Sequence, residues 1–385
     1  MWRHIASNAV TFLVVLLFLG AGVILWGQSE YNARGPLEQA ICVEVERGAN
    51  MRTLSRGLEA RGAVSNAMIL RLGAEYTEKS DQLKFGSYIV PAHASMSEVV
   101  DILTRGGASS CGTELVYRIG VTRTRVELRE VDPATARYEA TAEYVLDEAE
   151  PPAEIQAARA DEGTRFRVAL AEGVTSWQVV EGLRGVAVLE GEIDGIPAEG
   201  SLAPDSYEIS RGSTRAALIE RMQQAQQVIL AAAWEDRAED LPLETPEEAL
   251  VLASIIEKET ALAEERPQVA SVFVNRLERG MRLQTDPTVI YGVTEGRGAL
   301  GRGLRQSELR SANAWNTYVI EGLPPTPIAN PGRASIEAAL NPAETGYVFF
   351  VARSLDPRDG HVFAETLDEH NRNVAAYRAL ERAAE

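Results

Sequence analysis

Several things are scarce in this chain of 385 residues. Of its 38 basic residues only Lys79, Lys84 and Lys258 are lysines, and the formal net charge is −18. A chain this acidic repels phosphate backbones, and no local basic stripe offsets the repulsion, so nucleic acid is excluded as a partner. There are two cysteines, Cys42 and Cys111, with no C-x-x-C spacing, which excludes a disulfide framework, a zinc ribbon and a thioredoxin-like motif. In an oxidising compartment the two could join, but sequence does not give their distance. The four histidines, His4, His93, His361 and His370, are scattered, and no metal site is readable. What is present is 45% hydrophobic residues in a chain long enough for two or three compact units.

Formal charge is also missing from Ile5 to Gln28, where Phe12 to Trp26 is an unbroken apolar run. About 20 apolar residues span a bilayer core, so this segment is long enough to cross. A cleaved signal peptide is the alternative, with an apolar region of about 7 to 15 residues and a small-x-small cleavage site. Here the run ends in Trp26-Gly27-Gln28 with no such site, which favours a retained anchor. Arg3 and His4 before it and Glu30 after it place the amino terminus in the cytoplasm, and Trp2 and Trp26 suit the two interfaces. Everything beyond residue 28 is then periplasmic.

Two later stretches read as copies of one small α+β unit. The first begins Val43-Glu-Val-Glu-Arg-Gly48 and continues into a helix capped by Asn50 and closed by Gly62. A short helix capped by Ser65, a strand-like Gly86-Ser-Tyr88-Ile-Val-Pro91 run and a helix through Val99 and Leu103 follow. The second copy begins Val168-Ala-Leu-Ala-Glu-Gly173, with Thr175 as cap, a Pro204-Asp-Ser-Tyr207-Glu-Ile209 strand segment and a helix through Leu218 and Met222. Two copies are a weak repeat signal, but the shared punctuation points to duplication. Between them, Glu114 to Ile119 and Tyr138 to Tyr144 alternate as strands do, and Leu146 to Glu162 reads as a flexible acidic linker.

A long helix from Arg215 through Trp234 leads to an acidic break, and Pro246 with Glu247 and Glu248 opens the next helix. At about 100° per residue, Leu250, Val251, Leu252, Ile255 and Ile256 point nearly all round, so this helix is buried. Glu257 follows directly. A carboxylate leaving such a helix is either paired with a base, Arg276 or Arg282, or held partly desolvated as an acid. Periodicity does not choose between Glu257 and Glu259. Further on, Gln284-Thr-Asp286-Pro-Thr-Val-Ile-Tyr291 suits a loop lining a polar cleft, or an ordinary turn initiated by Asp286-Pro287.

The runs Ala253-Ser-Ile-Ile-Glu-Lys-Glu-Thr260, Val272-Phe-Val-Asn-Arg-Leu277 and Met281-Arg-Leu-Gln-Thr-Asp-Pro-Thr-Val-Ile-Tyr-Gly292 resemble the endolytic murein transglycosylases of the MltG/YceG-like family. So do Asn316-Thr-Tyr318, Gly322-Leu-Pro-Pro325, Ile328-Ala-Asn-Pro-Gly332, and Tyr347-Val-Phe-Phe-Val351 with His361, Phe363 and His370-Asn371.

The resemblance implies an α+β fold with an amino-terminal transmembrane helix, LysM-like α+β modules and a carboxyl-terminal catalytic domain. Laid on this chain, it gives an anchor over 1–28, a LysM-like module over 38–110, an inserted β segment and linker over 111–164, a second small module over 165–240, and the catalytic domain over 241–385. The insertion is longer than the family's pattern. The implied activity is a lytic transglycosylase acting on the MurNAc-GlcNAc β-1,4 bond of peptidoglycan and leaving 1,6-anhydroMurNAc ends, without a cofactor. Peptidoglycan strands, the inner membrane and peptidoglycan synthases are the implied partners.

Glu257 matches the family's catalytic acid, which apolar surroundings would keep protonated near neutral pH. Gln284, Asp286, Tyr291, Asn316, Tyr318 and His361 are the candidates for sugar binding, against turn and core hydrogen bonding as their ordinary roles. A muramidase-type hydrolase using Glu257 with Asp286, and a non-catalytic peptidoglycan-binding or division scaffold, are the rival readings.

Overall fold

The computed structural model describes residues 2–46, 48–105, 111–132, 135, 137–146 and 150–384, with side chains from residue 11 onward. The roles expected for the Trp2, Arg3 and His4 side chains therefore fall outside the described residues. The chain divides into two units, the first comprising Met1–Leu115, Leu128–Glu143 and Pro152–Arg165, the second Val116–Glu127, Tyr144–Pro151 and Phe166–Glu385.

In the first unit, helix α1 (Trp2–Asn32) contains the one stretch among the described residues, Thr11–Asn32, long and apolar enough to cross a membrane, with mean hydropathy 2.1 and no burial within the chain. Its last turn is different: Tyr31 is buried and lies where any side chain on Gly73 would have to go. Beyond it come β1 (Ile41–Val45), α2 (Met51–Ala60), α3 (Ala67–Tyr76), β2 (Gly86–Val90) and α4 (Met96–Arg105). Strands β1 and β2 pair antiparallel with Val43 opposite Tyr88. Val43, Leu58, Leu70, Val90, Val99 and Leu103, all essentially inaccessible, form the core under them.

Asn50 caps α2, as the sequence suggested, by accepting from the Thr53 N–H at 3.0 Å. The cap of α3 is Asn66, which accepts from Met68 and Ile69 N–H, and not Ser65. Ser65 instead donates to Glu30 at 2.7 Å, tying the end of α1 to the start of α3. Cys42 and Cys111 are bridged, with their Cα atoms 5.9 Å apart.

Strands β3 (Thr113–Ile119), β4 (Thr124–Asp132) and β5 (Arg137–Val145) follow, then α5 (Ala153–Ala160), β6 (Arg165–Leu170), α6 (Ser176–Arg184) and β7 (Ser206–Ile209). The sheet order is β5-β4-β3-β6-β7. The flexible linker expected over Leu146 to Glu162 is partly helical. Ile155 and Ala158, three residues apart and therefore on one helix face, are buried, which gives α5 an apolar stripe despite its acidic sequence.

The rest of the second unit is mostly helical: α7 (Arg215–Glu235), α8 (Pro246–Glu259), α9 (Arg266–Glu278), α10 (Asp286–Thr294), α11 (Gln306–Leu309) and α12 (Arg333–Leu340). A two-stranded sheet of β8 (Phe349–Ala352) and β9 (His361–Ala364) and the helix α13 (Leu367–Ala384) complete it. Helix α8 is surrounded, as its all-round apolar sequence requires: Leu252, Ile255 and Ile256 pack with Phe273 of α9 and with Ile336 and Leu340 of α12. The segment expected as a cleft-lining loop is instead α10, with Thr285 at its N-cap and Pro287 in its first turn, the position where a missing N–H does no harm.

Candidate active site

Glu257 leaves the buried run of α8 one residue after Ile256 and is itself only partly covered. Its Oε2 accepts from the Gly332 N–H at 3.0 Å and from the Ser335 hydroxyl at 2.7 Å. Gly332 is the N-cap of α12, so the carboxylate occupies the place where a helix start presents unpaired N–H groups and the positive end of its dipole. Oε1 has no hydrogen bond among the described residues. One oxygen is thus fixed by two donors and the other is left available.

The surroundings differ from the apolar pocket expected for this acid, because the apolar run stops at Ile256 and the carboxyl meets donors. Neither arginine expected as its partner pairs with it. Arg276 is buried and spends its guanidinium on the carbonyls of Val348, Leu283 and Arg282, while Arg282 reaches the Tyr318 carbonyl.

The segment carrying Gly332 is held by non-local bonds. Ser254 of α8 accepts from the Ile328 N–H, Asn330 exchanges backbone bonds with Gly173 and Val174, and the Asn330 side chain bridges Val174 and Leu202. This brings Glu172 against Gly332, and places Lys258 at 3.2 Å from the Gly173 carbonyl. Burial, then the charge of Glu257, pushes the Glu172 carboxyl up, and Arg266 at 3.6 Å pulls it down. Desolvation lowers the Lys258 ammonium, opposed by Glu257 and Glu199.

Glu199 is a third carboxylate that sequence reasoning missed. It accepts from the Ser176 N–H at 2.8 Å, the Tyr291 hydroxyl at 3.2 Å and Asn330 at 3.4 Å, and burial pushes it up. It lines a cleft of ≈ 800 Å³ together with Glu247, Leu250, Val251, Leu323 and Thr326. Nothing local in the sequence marks Glu172 or Glu199: Glu172 faces Arg266 of a distant helix, and Glu199 accepts from Tyr291 and Asn330, 92 and 131 residues away along the chain.

Glu259 is two residues beyond Glu257, so it points about 200° round the helix. It accepts from the Thr285 hydroxyl, and its burial drives its carboxyl upward. Asp286 accepts from Tyr318 at 2.7 Å, and both act on Glu259 or are acted on by it electrostatically, which groups them on that side of α8. His361 is bound by Glu265 through its backbone N–H at 2.6 Å and its ring Nδ1 at 3.0 Å.

Tyr291 faces Glu199, and Gln284 is exposed with a left-handed backbone (φ 49) and its N–H bonded to the Thr317 carbonyl at 3.2 Å. The assignment of Asn316 to sugar binding is corrected. It is fully buried, its amide donates to the carbonyls of Glu308, Leu309 and Ser311, and its oxygen accepts from Tyr318 N–H, so no polar atom is left for a ligand.

Comparison with known proteins supplies what geometry alone does not. Two strains of Streptococcus pneumoniae have an "Endolytic murein transglycosylase" that is 26% identical over 97% of this chain. The chain spans 66% of the length of these relatives. The Bacillus subtilis protein of the same name is 43% identical over 129 residues, which is 33% of this chain and 34% of that one. A crystal structure of a YceG-like protein from Listeria monocytogenes is 24% identical and covers 87% of this chain and 99% of its own, with a TM-score of 0.45. The YceG-like family model matches residues 43–376, the greater part of the sequence, and the chain therefore belongs to the YceG-like family.

Proposed function

We propose that this protein is an endolytic lytic transglycosylase of peptidoglycan in which Glu257 is both acid and base. The observation that carries this reading is the asymmetric carboxyl of Glu257, with Oε2 fixed by Gly332 and Ser335 and Oε1 unbonded, in a chain whose relatives are named endolytic murein transglycosylases. Two donors on Oε2 direct the proton of the neutral acid to Oε1. That proton passes to the oxygen bridging MurNAc and GlcNAc as the bond to the anomeric carbon breaks. The carboxylate then accepts the proton of the MurNAc C6 hydroxyl while that oxygen bonds to the anomeric carbon. Atoms balance without water, and the nucleophile is already held by the sugar, which lowers the entropic barrier. A hydrolase would need a second carboxylate to activate water at a set separation. Asp286, the residue expected for that part, is hydrogen-bonded to Tyr318 on the Glu259 side.

The apolar α1 is compatible with a single-pass anchor. We read it as spanning the inner membrane with its amino terminus cytoplasmic, the strand–helix units over 38–110 and 165–240 as LysM-like modules, and 241–385 as the catalytic domain, facing glycan strands as peptidoglycan synthases deliver them. Gln284, Asp286, Tyr291, Tyr318 and His361 remain candidates for sugar contacts.

The test is digestion of purified sacculi by the full-length protein in detergent and by Glu257→Gln, with mass spectrometry of the products. Anhydro ends from the native protein and none from the variant are expected. Products carrying the mass of an added water would replace this reading by the hydrolase. Equal behaviour of the two proteins would leave a binding scaffold.

A further inference from the structure

We infer that the exposed face of α3 in the first unit, carried by Met68, Leu72 and Tyr76, is a lipid-contact surface that rests on the bilayer beside α1. Resting on the reading of α1 as an anchor, this contact gives the first unit a second hold on the same membrane.

The three side chains stand four residues apart and so form one stripe along the helix. They are 60%, 53% and 81% exposed, whereas Ala67, Leu70 and Ala74 of the same helix are buried. At about 100° per residue and with Gly73 as zero, the stripe spans about −140° to −60° and the buried residues about 60° to 120°. The stripe therefore faces directly away from the core of the unit.

What covers it follows from the way α1 arrives. The Tyr31 ring fills the notch at Gly73, where a Cβ would lie 2.2 Å from Tyr31 Cε2. Ser65, at the foot of α3, donates to Glu30 at 2.7 Å. These contacts are about 12 Å apart along α3 but only about 1.5 Å apart along the axis of α1, so α3 lies across the end of α1 rather than beside it. Crossing at the Gly73 face, the body of α1 runs either over the core or away from it. Thr11 to Trp26 are exposed throughout, so it runs away, in the direction the stripe faces.

Depth agrees with direction. Tyr31 lies five residues beyond Trp26, about 7.5 Å along the axis, and a helix with its side chains has a radius of about 5–6 Å. The stripe thus reaches back to the level of Trp26, where the apolar run ends and an interface begins. Two flexible apolar side chains and a tyrosine with one hydroxyl suit that depth. With α1 and α3 both engaged, the first unit lies on the lipid and does not swing from a single stalk.

The experiment uses the full-length protein in vesicles of phosphatidylethanolamine and phosphatidylglycerol, with a nitroxide on the introduced thiol of Leu72→Cys, Leu19→Cys or Glu220→Cys. The Cys42–Cys111 bridge leaves that thiol as the labelling site. Collisions with oxygen, which dissolves in lipid, and with a water-soluble nickel chelate are measured at each position. Leu19 reports the anchor, and Glu220, charged and exposed on α7, reports water. The label at 72 is expected to meet nickel several-fold less often than the label at 220, and oxygen more often. Met68→Cys gives the same reading if Leu72→Cys fails to fold. Nickel access at 72 equal to that at 220 overturns the inference. So does shielding from both reagents, which would mark a second copy of the chain as the cover. A label at 19 open to nickel overturns the anchor reading itself, a result that the other outcomes do not imitate.

Discussion

The two small strand–helix units share a set of landmarks at matching positions around their first strand and helix. Val43 pairs with Tyr88 in one and Val168 with Tyr207 in the other. Five residues on from each valine, Gly48 and Gly173 both take positive φ, at 78° and 75°. Two further on, Asn50 and Thr175 cap the next helix. Both tyrosines are buried and donate to nearby carbonyls, of Phe85 and Ala203. The residue before the glycine breaks the pattern, being Arg47 in the first unit and Glu172 in the second. The glycine and cap positions are kept while the sequence reverses the sign of the charge before the glycine, and Glu172 lies within one residue of Glu257 at Gly332. The shared plan is explained by packing and caps, and function enters through what one position adds to it.

The largest effect expected on this contrast is from Glu257→Gln, which should lower cleavage by roughly 10³-fold or more, within the range of a lost general acid–base. The melting temperature should hardly move, since the glutamine side-chain oxygen still accepts from Gly332 and Ser335. Variant and native protein are compared by anhydro-end formation and by calorimetry. A large loss of stability would show that the carboxylate's main task is capping α12.

Next in size, Cys42→Ser with Cys111→Ser opens a loop of 69 residues' separation. Loss of such a constraint costs about 2–5 kcal/mol, all of it in the first unit. Urea unfolding of the double variant should show that unit melting early while cleavage by the folded protein persists. Equal loss of cleavage and stability would mean that the chemistry depends on the first unit.

Much of this contrast is legible in the amino-acid sequence alone. Valine–glycine spacing, Asn50, Thr175 and Pro246 are local signals, and local signals place the starts of α2, α6 and α8. The all-round apolar run ending at Glu257 also dictates the burial of α8. What the sequence hides is whatever depends on distant partners. Glu172 looks like an ordinary turn residue until the Asn330 segment folds back on it. Asn316 looks like a sugar contact because its three carbonyl partners cannot be counted from sequence. Asp286-Pro287 reads as part of a loop or as a turn, and the structure makes it the first turn of a helix that buries Thr288 and Val289. In the acidic stretch, composition hides the stripe of Ile155 and Ala158 that makes α5.

The smallest expected effect compares the two caps. Asn50 is exposed and its side chain serves only its own helix start, accepting from Thr53. Asn50→Ala should therefore cost about 1 kcal/mol. Thr175 is buried and works twice: its oxygen accepts from the Gln178 N–H, Gln178 answers through the Thr175 N–H, and its hydroxyl donates to the Gly296 carbonyl. Removing it loses the cap and also strips a buried carbonyl of its donor, which adds roughly 1–2 kcal/mol. Denaturant unfolding of Thr175→Ala against Asn50→Ala measures the gap. Equal costs would mean that Gly296 finds another donor, and that the second unit is no more deeply tied into its surroundings than the first. A larger cost at Thr175 would show that the second copy is held by its surroundings as well as by its own cap.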